Sequence, residues 1–322
     1  MKNRKLLKRE QFHQGIELWN RRYPELTLRS QLIEQNIFAP FSGVAVQGWA
    51  LYKKGEMIAF AVGKTLTKEI YSGCTSDQGW LSLLLTDQKN VDYLQQFILE
   101  IENELKEQGV NKLKIGGDPQ NFFPGLPEIF STESRQELLA IGYEPQNREY
   151  DLYQNLDDCP LPSYLEKTKE KINCELQLKK VNKNNEELLM DFLASNFPGR
   201  WYYEADNIRR IPGGVEDYRL LWKEKKEVIG FLRLNRCDSS YQGPNVNWGH
   251  LHGEKYCGMG PLGIAKEHRG QGYSYYMLLK AMEEMKEKGY NQMMVDWTRL
   301  LEYYQRLGFK QFMAYQPFTK MI

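Results

Sequence analysis

A chain of 322 residues exceeds the roughly 250–300 residues that a single core sustains, so two domains are expected. Its 43 basic and 42 acidic residues leave a formal charge of +1, which excludes the basic surplus of a phosphate-backbone binder. The 41% hydrophobic and 13% aromatic content excludes a disordered or collagen-like chain.

In chain order, the basic start Met1–Phe12 has no apolar stretch behind it and does not read as a secretory leader. A hairpin is predicted around Lys53 to Phe60. Glu104–Ile115 ends an amphipathic helix, stops it at Gly109 and enters a buried strand. Asn121–Pro127 is an aromatic turn with a Pro-Gly step, and Ile141-Gly142-Tyr143 follows. Asp157–Cys174, with Pro160 and Pro162, reads as a connector. Asn184 is expected to cap a helix reaching Asn196, with Glu187 three residues on and Leu188, Leu189, Phe192 and Leu193 on one face. A second helix and a second hairpin, around Lys223 to Phe231, come next. Glu284–Val295 then repeats Glu104–Ile115, and Leu307-Gly308-Phe309 repeats Ile141-Gly142-Tyr143. Three matched pairs in the same order argue a duplicated domain. The expected division is residues 1–156, a linker at 157–175, and residues 176–322. Strands interleave with helices, so the class is α+β, each half a mixed, mostly antiparallel sheet flanked by helices.

The segment Gly260–Lys280 is the most informative. A glycine-rich strand ends at Ile264, then Arg269-Gly270-Gln271-Gly272-Tyr273-Ser274 leads straight into a helix. The first N–H groups of a helix lack internal partners and its dipole favours anions there. Gly270 and Gly272 would let a phosphate approach the backbone, and Arg269 adds charge. Pro261 among Gly258, Gly260 and Gly263 suits a bulged strand that splays from its neighbour.

This RxxGx[GAS]-like spacing, followed by a strand ending at Val295-Asp296-Trp297 and by Tyr303–Phe309, resembles the GNAT superfamily of N-acetyltransferases. The loop departs slightly from that pattern in ending at Ser274. The resemblance implies acetyl-CoA as co-substrate, direct attack by an amine on the thioester, and no metal. It implies pyrophosphate contacts from Arg269, Gly270, Gln271, Gly272, Tyr273 and Ser274, and backbone groups of Ile264, Ala265 and Lys266 for the pantetheine arm. Tyr304 falls at the general-acid position, with Tyr303 second. Asp296, Glu254, His250 and His252 are candidates for the base. Two histidines two apart with no third ligand are weak evidence for a metal. Arg200, Trp201, Tyr202 and His250 are candidates for acceptor binding. In the first half, Lys89-Asn90-Val91-Asp92-Tyr93-Leu94 aligns with the loop, both glycines are gone, and Leu138 stands opposite Tyr304. That half is expected to keep the fold and to have lost the cofactor. Asn121–Pro127 is similar to a segment of GNAT pairs found with bacterial β-N-acetylhexosaminidases, which hints at an amino-sugar or cell-wall acceptor. A non-catalytic acyl-CoA sensor, or a transferase for another acyl group, would use the same loop. Five cysteines (Cys74, Cys159, Cys174, Cys237, Cys257) without a CxxC read as reduced thiols. The expectation is a cytoplasmic monomer or homodimer acting on a small-molecule amine, with no nucleic-acid or membrane partner.

Overall fold

The computed structural model describes residues 2–6, 8–86, 93–129, 132–158, 167 and 175–322. The chain forms two compact units, Met1–Glu149 with Met313–Ile322, and Tyr150–Phe312.

The first unit contains β1 (Lys2–Leu6), α1 (Arg9–Arg22), α2 (Ser30–Ile33), β2 (Val44–Lys53), β3 (Glu56–Leu66), β4 (Gln78–Thr86), α3 (Leu94–Glu107), β5 (Lys112–Ile115), β6 (Leu126–Pro127), α4 (Thr132–Ala140) and β7 (Glu144–Pro145). The β2–β3 hairpin turns through Lys54 at φ 51° and Gly55 at φ 89°, the paired left-handed geometry that matches strand twist. Along α3, Phe97, Ile98, Ile101 and Leu105 are buried at helical spacing, and Gly109 at φ 88° stops the helix as the sequence predicts.

The second unit contains β8 (Glu149–Asn155), β9 (Leu176–Lys180), α5 (Glu186–Asn196), α6 (Arg200–Ile208), β10 (Tyr218–Lys223), β11 (Glu227–Arg236), β12 (Tyr256–Ile264), α7 (Tyr273–Glu287), β13 (Gln292–Thr298) and α8 (Leu301–Gln305). β14 (Lys310–Gln316) and β15 (Phe318–Met321) follow. The sheet runs β8-β13-β12-β11-β10-β9, and its only parallel pair among the described residues is β12–β13. Met277, Leu278, Ala281 and Met285 of α7 pack on Cys257, Met259, Met293 and Val295 to form the core beneath that pair. The helix α5 starts one residue later than predicted. Asn185 rather than Asn184 is its N-cap, and the Asn185 side chain instead accepts from Asn182 N.

The strands divide the chain differently from the sequence repeat. β15 pairs antiparallel with β5, from Phe318↔Ile115 to Met321↔Lys112, and so completes the first sheet. β8 pairs antiparallel with β13, from Gln292↔Asn155 to Thr298↔Tyr150, and so joins the second. The repeat compares internal segments and is blind to which sheet a flanking strand completes. The expected linker falls mostly outside the described residues, as do Cys159 and Cys174. Cys74, Cys237 and Cys257 are free thiols. Among the described residues no helix is long and apolar enough to cross a membrane.

Both sheets open in the same way. β12 pairs with β13 only from Tyr256↔Gln292 to Gly258↔Met294, and β4 pairs with β5 only from Gln78↔Lys112 to Leu81↔Ile115. Each opening begins at a bulge. Against β11, Met259 and Leu262 face Leu234 and Leu232, so Gly260 and Pro261 stand opposite Arg233 alone. Against β3, Leu81 and Leu83 face Gly63 and Val62, so Ser82 is the extra residue. A bulge bends its strand away from its neighbour, as the glycines and Pro261 predict for β12.

Candidate active site

The open side of β12 leads to the start of α7. Gly270 and Gly272 have φ of 77° and 80°, a left-handed backbone that side chains disfavour, and Gly272 is the N-cap. Among the described residues no side chain caps the helix, so its first N–H groups remain directed out of the N-terminus. Arg269, Gly270 and Gln271 are exposed, and a Cβ at Gly270 would meet nothing within 4 Å. Arg269 Nε donates to Ile264 O at 2.9 Å and ties the loop to the strand that feeds it. The local physics is that of an anion site: unpaired donors, a positive helix end and accessible backbone.

Two of the expected pantetheine contacts are already engaged. Ala265 N donates to Ile229 O at 2.9 Å and Ala265 O accepts from His268 N at 3.0 Å. Ile264 O is taken by Arg269. Lys266 is exposed on the short turn after the strand. Beyond Gly258, β12 keeps β11 on one edge and, among the described residues, has no paired strand on the other, so the backbone left for an extended ligand lies upstream of Ile264.

The facing wall of the cleft is the end of β13, where its register with β8 shifts between Val295 and Thr298. Trp297 there has φ 48°, and its N–H donates to Asp151 Oδ1 at 3.2 Å. This second bulge turns Asp296 toward β12: a Cβ at Gly260 would lie 3.6 Å from Asp296 Oδ1. Burial pushes the Asp296 carboxyl up to about 7, with Arg200 opposing and Glu204 adding to the rise. Tyr304 of α8 is buried, edge-on to Tyr303 at 5.1 Å and to Phe309 at 5.8 Å. Burial, Tyr303 and Asp296 raise its phenol, which therefore stays protonated at neutral pH. Tyr303 stacks on Tyr275 at 4.6 Å with its hydroxyl toward Ser274, and burial lifts it to about 12.

A strand splayed at a bulge, a helix start whose N-cap is left-handed Gly272 and a buried tyrosine after the next strand follow in that order. Residues 183–309 match the model of the acetyltransferase (GNAT) family. Those residues, within the second unit, are a GNAT acetyltransferase domain. No curated relative matches the chain. Three solved structures share its fold. A GCN5-related glucosamine N-acetyltransferase region of a fungal multi-domain GH3 β-N-acetylglucosaminidase aligns with TM-score 0.83 at 20% identity, over 99% of this chain and 38% of that one. The chain thus spans well under half of that larger protein. A tandem GNAT protein from the clavulanic acid biosynthesis pathway aligns with TM-score 0.62 at 9% identity, over 99% and 98% of the two chains. A GNAT-family acetyltransferase from Colwellia psychrerythraea aligns with TM-score 0.56 at 9% identity, over the full length of both. The chain therefore has the tandem GNAT fold.

The GNAT cleft gathers some of the sequence-predicted residues and leaves others outside. Arg200, first residue of α6, lies over the Trp297 ring at 5.4 Å, and its charge acts on Asp296. Trp201 packs on Phe197 at 4.9 Å and on Phe231 at 5.5 Å, and with Arg200 lines an open concavity of about 230 Å³. Tyr202 does not join them. Two residues along a helix turn it by about 200°, and Tyr202 faces Arg209 instead. Glu254 is exposed on the bend ahead of β12, six residues before Gly260. His250 and His252 also sit toward the closed end. Their turn, Gly249–His252, packs where a Cβ at Gly249 would strike Tyr256, and His252 stacks on Tyr153 at 4.2 Å. Burial lowers the His252 imidazole below its usual range.

Sequence reasoning missed Asn235, Asn245, Glu204 and Arg233. Asn235 and Asn245 each donate to Gly260 O at 3.1 Å, and Arg233, opposite the bulge, forms a fully buried pair with Glu204 at 3.1 Å. Glycines at 258 and 260 were the available signal, since a strand that lacks side chains on one face leaves room for something else.

In the first unit the corresponding cleft is filled by its own chain. Asp118 Oδ1 accepts from buried Lys64 Nζ at 3.0 Å, and Asp118 Oδ2 accepts from Ser82 Oγ, the bulge residue, at 2.7 Å. Phe122 and Phe123 are buried beside them, leaving a cavity of about 10 Å³ lined by Leu81, Ser82, Ile115 and Phe123. That volume admits no more than a single water. The segment aligned with the cofactor loop, residues 89–94, lies outside the described residues except for Tyr93 and Leu94.

Proposed function

We propose that the second unit transfers the acetyl group of acetyl-CoA to the amine of an amino sugar, by direct attack in a ternary complex. The observation that carries this reading is the uncapped start of α7, with left-handed Gly272, meeting the open edge of β12. That junction suits a diphosphate followed by an extended arm. The groups around it fit the chemistry. Asp296, titrating near neutrality, takes the proton that the amine loses as its nitrogen bonds to the thioester carbon. A backbone N–H on the open edge of β12 faces the oxygen on which charge develops. Tyr304, held neutral by burial, donates its proton to the departing thiolate. Arg200, Trp297 and Trp201 offer a planar charged and aromatic surface of the kind sugars stack on. The amino-sugar acceptor draws support from the fungal structural neighbour, whose GNAT region is described as a glucosamine N-acetyltransferase. The first unit, with its cleft filled, is assigned no cofactor.

The test is a paired measurement on the full chain. Acetyl-CoA should raise the unfolding midpoint, because a ligand that binds only the native state stabilises it. Thiol release with glucosamine and cell-wall fragments should exceed that with simple alkylamines. Binding without transfer to any amine would identify a sensor, and no binding would refute the cofactor site itself.

A further inference from the structure

Asn245 is 4% exposed, on the short turn Pro244–Val246. Its amide lies flat on β12. A Cβ at Gly258 would sit 2.4 Å from Asn245 Oδ1, and one at Gly260 3.4 Å from Nδ2. The two glycines thus clear a bed for this side chain. Nδ2 donates to Gly260 O, and the Asp296 carboxyl stands at the same glycine, its Oδ1 3.6 Å from the Cβ position that lies 3.4 Å from Nδ2. Exchanging the amide's oxygen and nitrogen would set two acceptors against each other at Gly260 O, which fixes its orientation. Oδ1 is buried and accepts no hydrogen bond among the described residues. A side chain kept for stability alone would satisfy both ends, since a bare buried acceptor forfeits the hydrogen bond it made to water. This one is spent on its donor side, at the point where the two walls of the cleft come together.

We propose that Asn245 is a positioning residue, whose amide holds the Asp296 carboxyl and the bulged backbone at Gly260 in one frame, so that base and thioester keep register during acetyl transfer. The inference rests on the function proposed above. Asparagine suits the task because one neutral group can donate to a carbonyl and to a carboxylate without adding charge between them. Asp296 is faced by Arg200 and Glu204 of α6, with Arg233 paired to Glu204, and by Tyr304 of α8. Asp151 of β8 is bonded to the neighbouring Trp297 N–H. None of these changes when Asn245 is replaced. Loss of the amide donor beside it, which favours the ionised carboxyl, then moves Asp296 to higher pH.

The experiment follows the Asp296 carboxyl carbon by NMR titration in the wild-type chain and in Asn245→Ala, alongside the pH profile of kcat/KM and the acetyl-CoA Kd. The expected result is a midpoint about one pH unit higher, matched by the acid limb of the profile. A kcat roughly 10- to 100-fold lower and an unchanged acetyl-CoA Kd should accompany it. Asn245→Asp keeps the side-chain shape while removing the donor. It should move the midpoint further in the same direction, and it serves if the alanine variant does not fold. An unmoved Asp296 midpoint in either folded variant would overturn the proposal. If the wild-type chain acetylates no amine, the function proposed above fails, and the carboxyl titration still decides whether Asn245 governs Asp296.

Discussion

Gly272 stands at φ 80° directly ahead of α7, so substitution there acts at the centre of the anion site. Asparagine and aspartate are nearly the same shape, and both tolerate the left-handed backbone better than other side chains, at about 1 kcal/mol. Both variants should therefore fold with similar stability and differ only in charge. A carboxylate about 4 Å from a phosphate charge costs about 1 kcal/mol in bulk water and about 4 kcal/mol at the effective dielectric of a protein surface. At tenfold per 1.4 kcal/mol, Gly272→Asp should bind acetyl-CoA roughly 5- to 1000-fold more weakly than Gly272→Asn. The loop is exposed, so the gap should narrow as salt is raised from about 0.05 to 0.5 M. Isothermal titration of both variants reads the difference directly. Equal dissociation constants in two folded proteins would refute a diphosphate at this helix start.

Tyr304→Phe should lower kcat roughly 10²- to 10⁴-fold with acetyl-CoA affinity unchanged; an unchanged kcat would remove Tyr304 from proton donation. Because Asp296 must be ionised to act as base, kcat/KM should rise through about pH 7 and level off above it. The same carboxyl is held above its ordinary range, so its favourable share of stability is present at acid pH and lost as pH rises through about 7. Asp296→Asn should accordingly be inactive yet about 1–2 kcal/mol more stable than wild type at pH 8 in urea unfolding, and no more stable near pH 4. In the first unit, Asp118→Ala strands the buried Lys64 ammonium and should cost about 3–5 kcal/mol, whereas Lys64→Met with Asp118→Leu should cost much less. Acetyl-CoA should titrate at one molecule per chain.

Much of this molecule is legible from residue order alone. The stop glycines 109 and 289 adopt the left-handed backbone expected of them, and Gly142 and Gly308 adopt it too, because a helix C-terminus imposes a local demand only glycine meets cheaply. The cofactor loop is legible for the same reason, since its conformation and its chemistry are set by adjacent residues. Asp296 is half legible: its place at a strand end is local, but its aim into the cleft depends on a bulge against β8, some 145 residues away, and its ionisation on burial. Proximity in sequence is not proximity in space: Glu254 lies on the bend ahead of β12, and helical rotation turns Tyr202 away from Arg200. Asn245 was invisible because its meaning lies in two glycines on another element. The compact units differ from the repeat-based bounds where strands cross from one repeat to the other sheet.

The exchange of β15 has a consequence for how the polypeptide is born. β5 needs Phe318–Met321 as its antiparallel neighbour, and those residues are translated only after the whole of Tyr150–Phe312. At about 5–20 residues per second, the nascent first sheet waits roughly 10–30 s on the ribosome with that edge bare. Lys112 and Lys114 alternate along it, the charged guard by which unpaired strands resist adhering to other chains. Severing the polypeptide between the two repeats would therefore liberate neither as a self-sufficient piece, and a peptide carrying the missing strand should restore the first.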